Sequence, residues 1–447
     1  MFKLLKEKRL FGDAFWVLFG QLASAIALLA GTRILTELVT PEIYGQVALL
    51  NGFVALGVAV FSYPFICAGM RLLPECTDDA GRAALFSTVF RLAAWATGLA
   101  MVLLMLGGFV YSRKLQGDMW LFVLTGFLLA VTVRRELGIQ LLIGGRKQRG
   151  ASLWQTTDSI LRPLLAIASV IYLGQKAEWV LSGYIAASFV SNTVWSLVFG
   201  RVGKAVLPTV YPAKGGQNSV VHPTAAVWAY ALPLLPMELI FWLNGLGDRY
   251  VIGYFMTAAD VGLYAATYLI INEAFNRSAM VLLRIFQPVY FQACAQNQLN
   301  EGFRILWLWI ACVSAMGSIG VALLLITKDW VALLLLAQSY HPAVALMPAI
   351  AVGCALHCLG TVVSQPLLAK KCTRLMLLGR LSGVMAAAIS IPLMVKEFGL
   401  LGAAMANPIY FGIEALVLAM LARPWRPVCT VNKDVLKRTE ETAEILI

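Results

Sequence analysis

The 447-residue chain is 60% hydrophobic and 13% charged, with a mean hydropathy of +0.79 and a formal net charge of +12. No water-soluble domain of this length tolerates that composition, so lipid must be the solvent and almost no chain is left for a soluble domain. The basic excess has no folded basic surface to sit on, which excludes nucleic acid as a partner and makes the charge a matter of membrane topology.

Apolar stretches of about 20 residues suffice to cross a hydrocarbon core of about 30 Å. They predict twelve spans, at 13–36, 44–68, 83–110, 119–144, 152–174, 178–200, 223–247, 260–286, 303–327, 331–366 (broken), 374–395 and 399–422. The first follows Lys3, Lys6, Lys8 and Arg9 and contains the small triplet Ala23 to Ala25, in the manner of a cleavable signal. Its apolar run continues well past the triplet, so it reads as a span. In the third span Arg91 lines up with Ser87 and Trp95 as a polar and aromatic stripe. The fourth carries Arg134, Arg135 and Glu136 about fifteen residues in from Trp120. These three lie inside the membrane if the helix continues to Gly144, and at an interfacial turn if it stops at Val133. Asp158 and Arg162 of the fifth span are four apart, as an ion pair or as transport residues.

In the seventh span Glu238 follows Pro233 and Pro236, which must break the helix and free carbonyls for water or a cation. Glu238 is then either an ion-coupling residue or a brace for the kink. At 100° per residue, Glu273, Arg277 and Arg284 share one face of the eighth span, which must line something wet unless Glu273 and Arg277 merely neutralise each other. Tyr264 points away from that face and reads as an interfacial anchor. Cys354, His357 and Cys358 share a face of the tenth span without a fourth ligand, so they read as packing and no metal is expected. The eight cysteines are expected to be free thiols.

Of the 35 Lys and Arg, 23 fall in the N-terminus, the even-to-odd loops and the C-terminus, five in the opposite loops, and seven within or at the edges of spans. Both termini are therefore expected in the cytoplasm of a multi-pass protein. The polar stretch 205–222 reads as a cytoplasmic linker between an N-terminal six-helix lobe, 1–204, and a C-terminal one with a basic tail, 223–447. Gly31-Thr32-Arg33 leading to Pro41, Glu42 and Gly45 resembles Gly247-Asp248-Arg249 leading to Asp260, Val261 and Gly262, with one small indel. Six spans per half make these parallel repeats, and Arg33 and Arg249 then occupy matching places at the outer ends of the first and seventh spans, facing each other across the mouth or snorkelling.

The order of these motifs, with the unit Pro41-Glu42-Ile43-Tyr44-Gly45, the Gly144-Gly145-Arg146 turn and Gly399-Leu400-Leu401-Gly402-Ala403-Ala404 opening the last span, resembles the polysaccharide transporter family. That family, whose best-known members are O-antigen flippases, belongs to the superfamily that also holds multidrug extruders and peptidoglycan lipid flippases. The resemblance implies an all-α bundle of two six-helix lobes that moves a polyprenyl-pyrophosphate-linked oligosaccharide from the cytoplasmic to the outer leaflet of a bacterial inner membrane. Membrane lipids and polysaccharide polymerase machinery are the implied further partners. Substrate-binding candidates are Arg91, Arg134, Arg135, Arg277, Arg33 and Arg249, and ion-coupling candidates are Glu238, Glu273, Glu136 and Asp158. No catalytic group and no cofactor is expected: the outer loops are too short for a polymerase site and there is no GxxxxGK[ST] loop. A multidrug antiporter of the same superfamily is the alternative.

Overall fold

The structure, a computed structural model, describes residues 2–73, 76, 79–115, 119–144, 147–209, 223–296 and 298–426. The Gly145-Arg146 part of the glycine turn, the linker beyond residue 209 and the basic tail beyond residue 426 lie outside the described residues. The described residues contain no strand. Helices α1 (Phe2–Leu38), α2 (Pro41–Leu56), α3 (Tyr63–Leu72), α4 (Asp79–Leu115), α5 (Met119–Gly144), α6 (Gln148–Leu173) and α7 (Ala177–Thr209) form the first series. Helices α8 (Pro223–Ala231), α9 (Leu235–Phe255), α10 (Ala258–Ala295), α11 (Leu299–Leu335), α12 (Met347–Val363), α13 (Gln365–Ala369) and α14 (Thr373–Ala422) follow.

Several of these are segments of one broken span. A π segment, Gly57–Ser62, joins α2 to α3, a 3-10 turn, Leu232–Leu234, joins α8 to α9, and a 3-10 stretch, Gln338–Leu346, precedes α12. The break expected at Pro233 and Pro236 is thus a single tight turn. Within α14, Gly399 adopts φ 58°, a left-handed value open to glycine at little cost, and separates two straight stretches. Twelve membrane-length rods result, as the hydropathy predicts. Eight helical stretches, with α14 counted once, are long and apolar enough to cross a membrane among the described residues. Helices α5, α7 and α10 complete the set. Because α5 runs unbroken to Gly144, Arg134, Arg135 and Glu136 are inside a helix and not at an interfacial turn.

Contacts divide the chain into two compact units. Unit 1 comprises Met1–Trp242, Thr257–Leu263 and Leu334–His341; unit 2 comprises Leu243–Met256, Tyr264–Leu333 and Pro342–Ile447. Lipid tails are as apolar as leucine, so close backbone approach at small residues takes over much of the work that burial does in water. In unit 1, Gly31 of α1 lies against the Pro163 ring of α6, and Gly183 of α7 against the backbone of Ala166. In unit 2, Gly353 and Gly360 of α12 receive Asn407 and Ala415 of α14.

The π segment was not anticipated, though Pro64 just beyond it marks the spot. A proline there has no N–H to give and crowds the preceding turn, and one extra residue relieves both. Ser62, fully buried at the end of that segment, meets Thr97 of α4 at 3.2 Å. Two contacts bracket the breaks in the second and seventh spans. The Trp242 indole N–H donates to the Gly52 carbonyl at 2.8 Å, and Phe65 meets Trp228 edge to face at 5.0 Å. The π segment and the proline turn therefore lie alongside one another within unit 1.

Candidate functional site

Three helices of unit 1 build the densest charged cluster. Asp158 of α6, 2% exposed, accepts from Arg135 of α5 and, at 2.9 Å, from Arg162 one turn further along α6. Arg135 also reaches Glu136 at 2.5 Å. The Arg162 guanidinium donates to Ser188 of α7 at 3.0 Å and to Thr132 of α5 at 3.1 Å, and the Ser188 hydroxyl donates to Asp158 at 3.4 Å. Two arginines balance two carboxylates, so the cluster is neutral as a whole and clamps α5, α6 and α7. Of the sequence-predicted residues, Arg135, Glu136 and Asp158 meet here.

Arg91 and Arg134 stand apart from that clamp. Both are exposed, and neither has a carboxylate partner among the described residues. Almost all of α5 is covered, and within its membrane stretch the exposed positions are Phe127 and Arg134, seven residues and two turns apart on one stripe. Arg134 is about 22 Å along the helix from Met119 and about 15 Å from Gly144, too deep for easy escape to either surface. Arg91 shares its exposed stripe on α4 with Ser87, Trp95 and Gly98.

Glu238 lies in the first turn of α9, half-buried, with no hydrogen bond or ion pair among the described residues. Tyr63 and Cys67 of α3 are within its electrostatic reach. The remaining candidates are paired along their own helices: Arg33 with Glu37 on α1, and Arg277 with Glu273 on α10. Arg249 donates its backbone N–H to the Asp248 carboxylate at 2.8 Å and places its guanidinium 5.8 Å from the Tyr268 ring centroid.

Two buried clusters in unit 2 escaped the sequence reading. Tyr264 is fully buried, not an interfacial anchor: its hydroxyl donates to Asp248 at 2.5 Å and accepts from Asn407 at 2.7 Å, and Tyr410 donates to Asn407 at 2.7 Å. On a twelve-rod protein the uncharged face of a helix is as readily covered by a neighbour as by lipid. Further along α14, Arg380 pairs with Glu414, which is 1% exposed. Arg380 also donates to Thr361 at 3.2 Å, and the His357 ring nitrogen is 3.9 Å from the same Glu414 oxygen. Arg380 therefore sits inside α14, so the 23 basic residues assigned to the cytoplasmic side include one that is buried within a span. His357 faces Glu414 and not a thiolate set, and none of the seven described cysteines is in a disulfide.

The sequence matches no protein-family model and no curated protein. The fold does have solved counterparts. A lipid II flippase, MurJ, in an inward closed conformation superposes with a TM-score of 0.66 at 12% identity, over 96% of this chain and 89% of that one. A multidrug resistance MATE family transporter of the MOP superfamily, inward-facing, gives 0.65 at 15% identity, over 92% and 97%. The Vibrio cholerae MATE transporter VcmN in its bent form gives 0.57 at 13% identity, over 93% and 97%. At these identities the likeness is one of fold: a multi-pass helical membrane architecture spanning nearly the whole of both chains.

Proposed function

We propose that the protein is a flippase that carries a polyprenyl-pyrophosphate-linked oligosaccharide across a bacterial cytoplasmic membrane by alternating access, for polysaccharide assembly. The observation that carries this reading is the pair Arg134, deep in α5, and Arg91, seven residues into the apolar stretch Ala84–Phe109, both exposed and without a carboxylate partner among the described residues. A charge facing hydrocarbon at the bilayer centre costs at least about 2.5–3.5 kcal/mol. The stripes that bear these two must then be wetted or meet an anion, and a guanidinium fork fits phosphate oxygens in bidentate fashion. Arg135, Arg277 and Arg33 already hold carboxylates, so a pyrophosphate would reach them only by competing for a filled site. The likeness of fold to a lipid II flippase supports a lipid-linked cargo. Polymerase machinery that consumes the flipped product is the natural downstream partner.

A second reading, multidrug antiport, draws on Glu238, a half-buried carboxylate with no ion pair among the described residues, and on the equally good match to a multidrug transporter. In the flippase reading the same residue is the coupling candidate, with Glu273, Glu136 and Asp158 committed to arginines. Native mass spectrometry of gently extracted protein separates the two. Wild type should retain a polyprenyl diphosphate species and the Arg91→Ala/Arg134→Ala variant should lose it. Retention of cationic amphiphiles alone, equally by both proteins, would overturn the flippase reading.

A further inference from the structure

The internal repeat aligns Thr40 to Val47 with Thr257 to Tyr264 at a constant offset, 257 − 40 = 217 residues, placing Pro41 on Ala258 and Gly45 on Gly262. The structure brings Pro41 and Gly45 of the first copy into contact with Ala258 and Gly262 of the second within unit 1. A Cβ on Gly45 would strike the Ala258 carbonyl oxygen and the Gly262 amide nitrogen, while a Cβ on Gly262 would strike the Pro41 carbonyl oxygen and the Gly45 amide nitrogen. Exchanging each residue for its repeat equivalent turns one contact into the other. This is the signature of a self-complementary interface about a twofold axis, here between two stretches of one chain. The obstacles are backbone atoms on both sides, so no rotamer change could make room, and glycine at both positions is what lets the helices touch.

The seam continues on Leu334–His341, a further stretch that the second half of the chain contributes to unit 1. The Ala337 N–H donates to the Thr36 hydroxyl at 3.3 Å, Tyr340 donates its hydroxyl to the Val39 carbonyl at 3.2 Å, and the Tyr340 ring meets Tyr44 edge-on at 6.0 Å. The turns involved, after α1, after α9 and after α11, each join an odd span to an even one. They therefore share one face of the membrane, the outer face under the proposed topology. Elsewhere, α5 is fastened to α6, and the two stretches of α14 to each other, by buried ion pairs. Across the seam, by contrast, the described contacts include backbone van der Waals contact, two hydrogen bonds to groups that water can replace, and one ring contact. Such a junction closes tightly yet parts without stranding a charge.

We propose that this glycine seam is the outer gate of the transport cycle, closed in this structure and parted to release cargo. The proposal rests on the transport reading above. Thr36→Cys/Ala337→Cys, oxidised with copper phenanthroline, should link α1 to the stretch after α11 and lower the flux of lipid-linked oligosaccharide at least tenfold, with dithiothreitol restoring it. Failure to form the bond, or wild-type flux in the linked protein, would overturn the gate. A second measurement needs no cargo. Val47, buried two residues beyond Gly45, is replaced by cysteine and labelled from the outer side with a membrane-impermeant maleimide. Adding Gly45→Ala or Gly262→Ala should wedge the seam and raise the labelling rate at least fivefold. An unchanged rate would count against the gate even if the flux assay showed that the cargo was wrongly identified, so the two failures are distinguishable.

Discussion

Removing Asp158 should cost the protein much of its stability. Its carboxylate is the centre of the α5–α6–α7 clamp, taking Arg135, Arg162 and Ser188 at once. Asp158→Ala changes the cluster from neutral to a net charge of +1 and leaves two guanidinium groups facing each other where water is scarce. Truncating one partner of a buried ion pair costs about 3–5 kcal/mol, because the other charge is left uncompensated. For a body of this size each kcal/mol moves the melting temperature by about 2–4 °C, so a fall of about 6–20 °C is expected. Arg162→Met in the same chain removes one of the stranded cations, and the double variant should recover more than half of the loss. Tryptophan-fluorescence melting in detergent reads both numbers. A fall of less than about 2 °C, or strictly additive effects, would show that the clamp does not hold these helices.

Glu238→Gln should keep any hydrogen bond to the carbonyls freed at Pro233 and Pro236 but cannot carry a proton, so transport in proteoliposomes should slow and lose its response to an imposed pH gradient. Wild-type flux with an unchanged pH profile would reduce Glu238 to a brace for the kink. Glu414→Ala should lower the melting temperature by several degrees by stranding Arg380, and Arg380→Met in the same chain should restore most of it. If the single variant melts like wild type, the pair has another role. Alkaline phosphatase fused after Gly150 should be inactive and fused after Lys176 active, since the first loop is basic and the second nearly uncharged; the reverse would invert the topology.

The twelve spans were legible because each rests on local composition, and the discontinuities at Pro233, Pro236 and Gly399 were legible from the Pro or Gly that forces them, whereas the π segment before Pro64 was not. Pairs along one helix were legible for the same reason. Asp158 with Arg162 and Glu273 with Arg277 are four residues apart, a spacing that brings side chains together before any tertiary structure exists. Pairs between helices were not. Arg135 and Asp158 are separated by 23 residues and Arg380 and Glu414 by 34, and nothing in either stretch says which rod will face which. Arg134 and Arg135 are neighbours in sequence, yet 100° around the helix makes one an exposed charge and the other the arm of a buried clamp. The reciprocal glycines were visible only as a weak repeat until their contact showed what the repeated motif does.

The most direct test of the central claim is transport itself. Purified protein in proteoliposomes, loaded with a polyprenyl-pyrophosphate-linked oligosaccharide in one leaflet, should move it to the other, with arrival read by a membrane-impermeant lectin or glycosidase. Arg91→Ala and Arg134→Ala should each abolish the movement at an unchanged melting temperature, since both side chains are exposed and brace no carboxylate among the described residues. Lysine at either position should restore it only in part, because a point charge loses the bidentate fit. Wild-type movement in the double alanine variant, or no movement in the native protein alongside export of a cationic dye, would contradict the account.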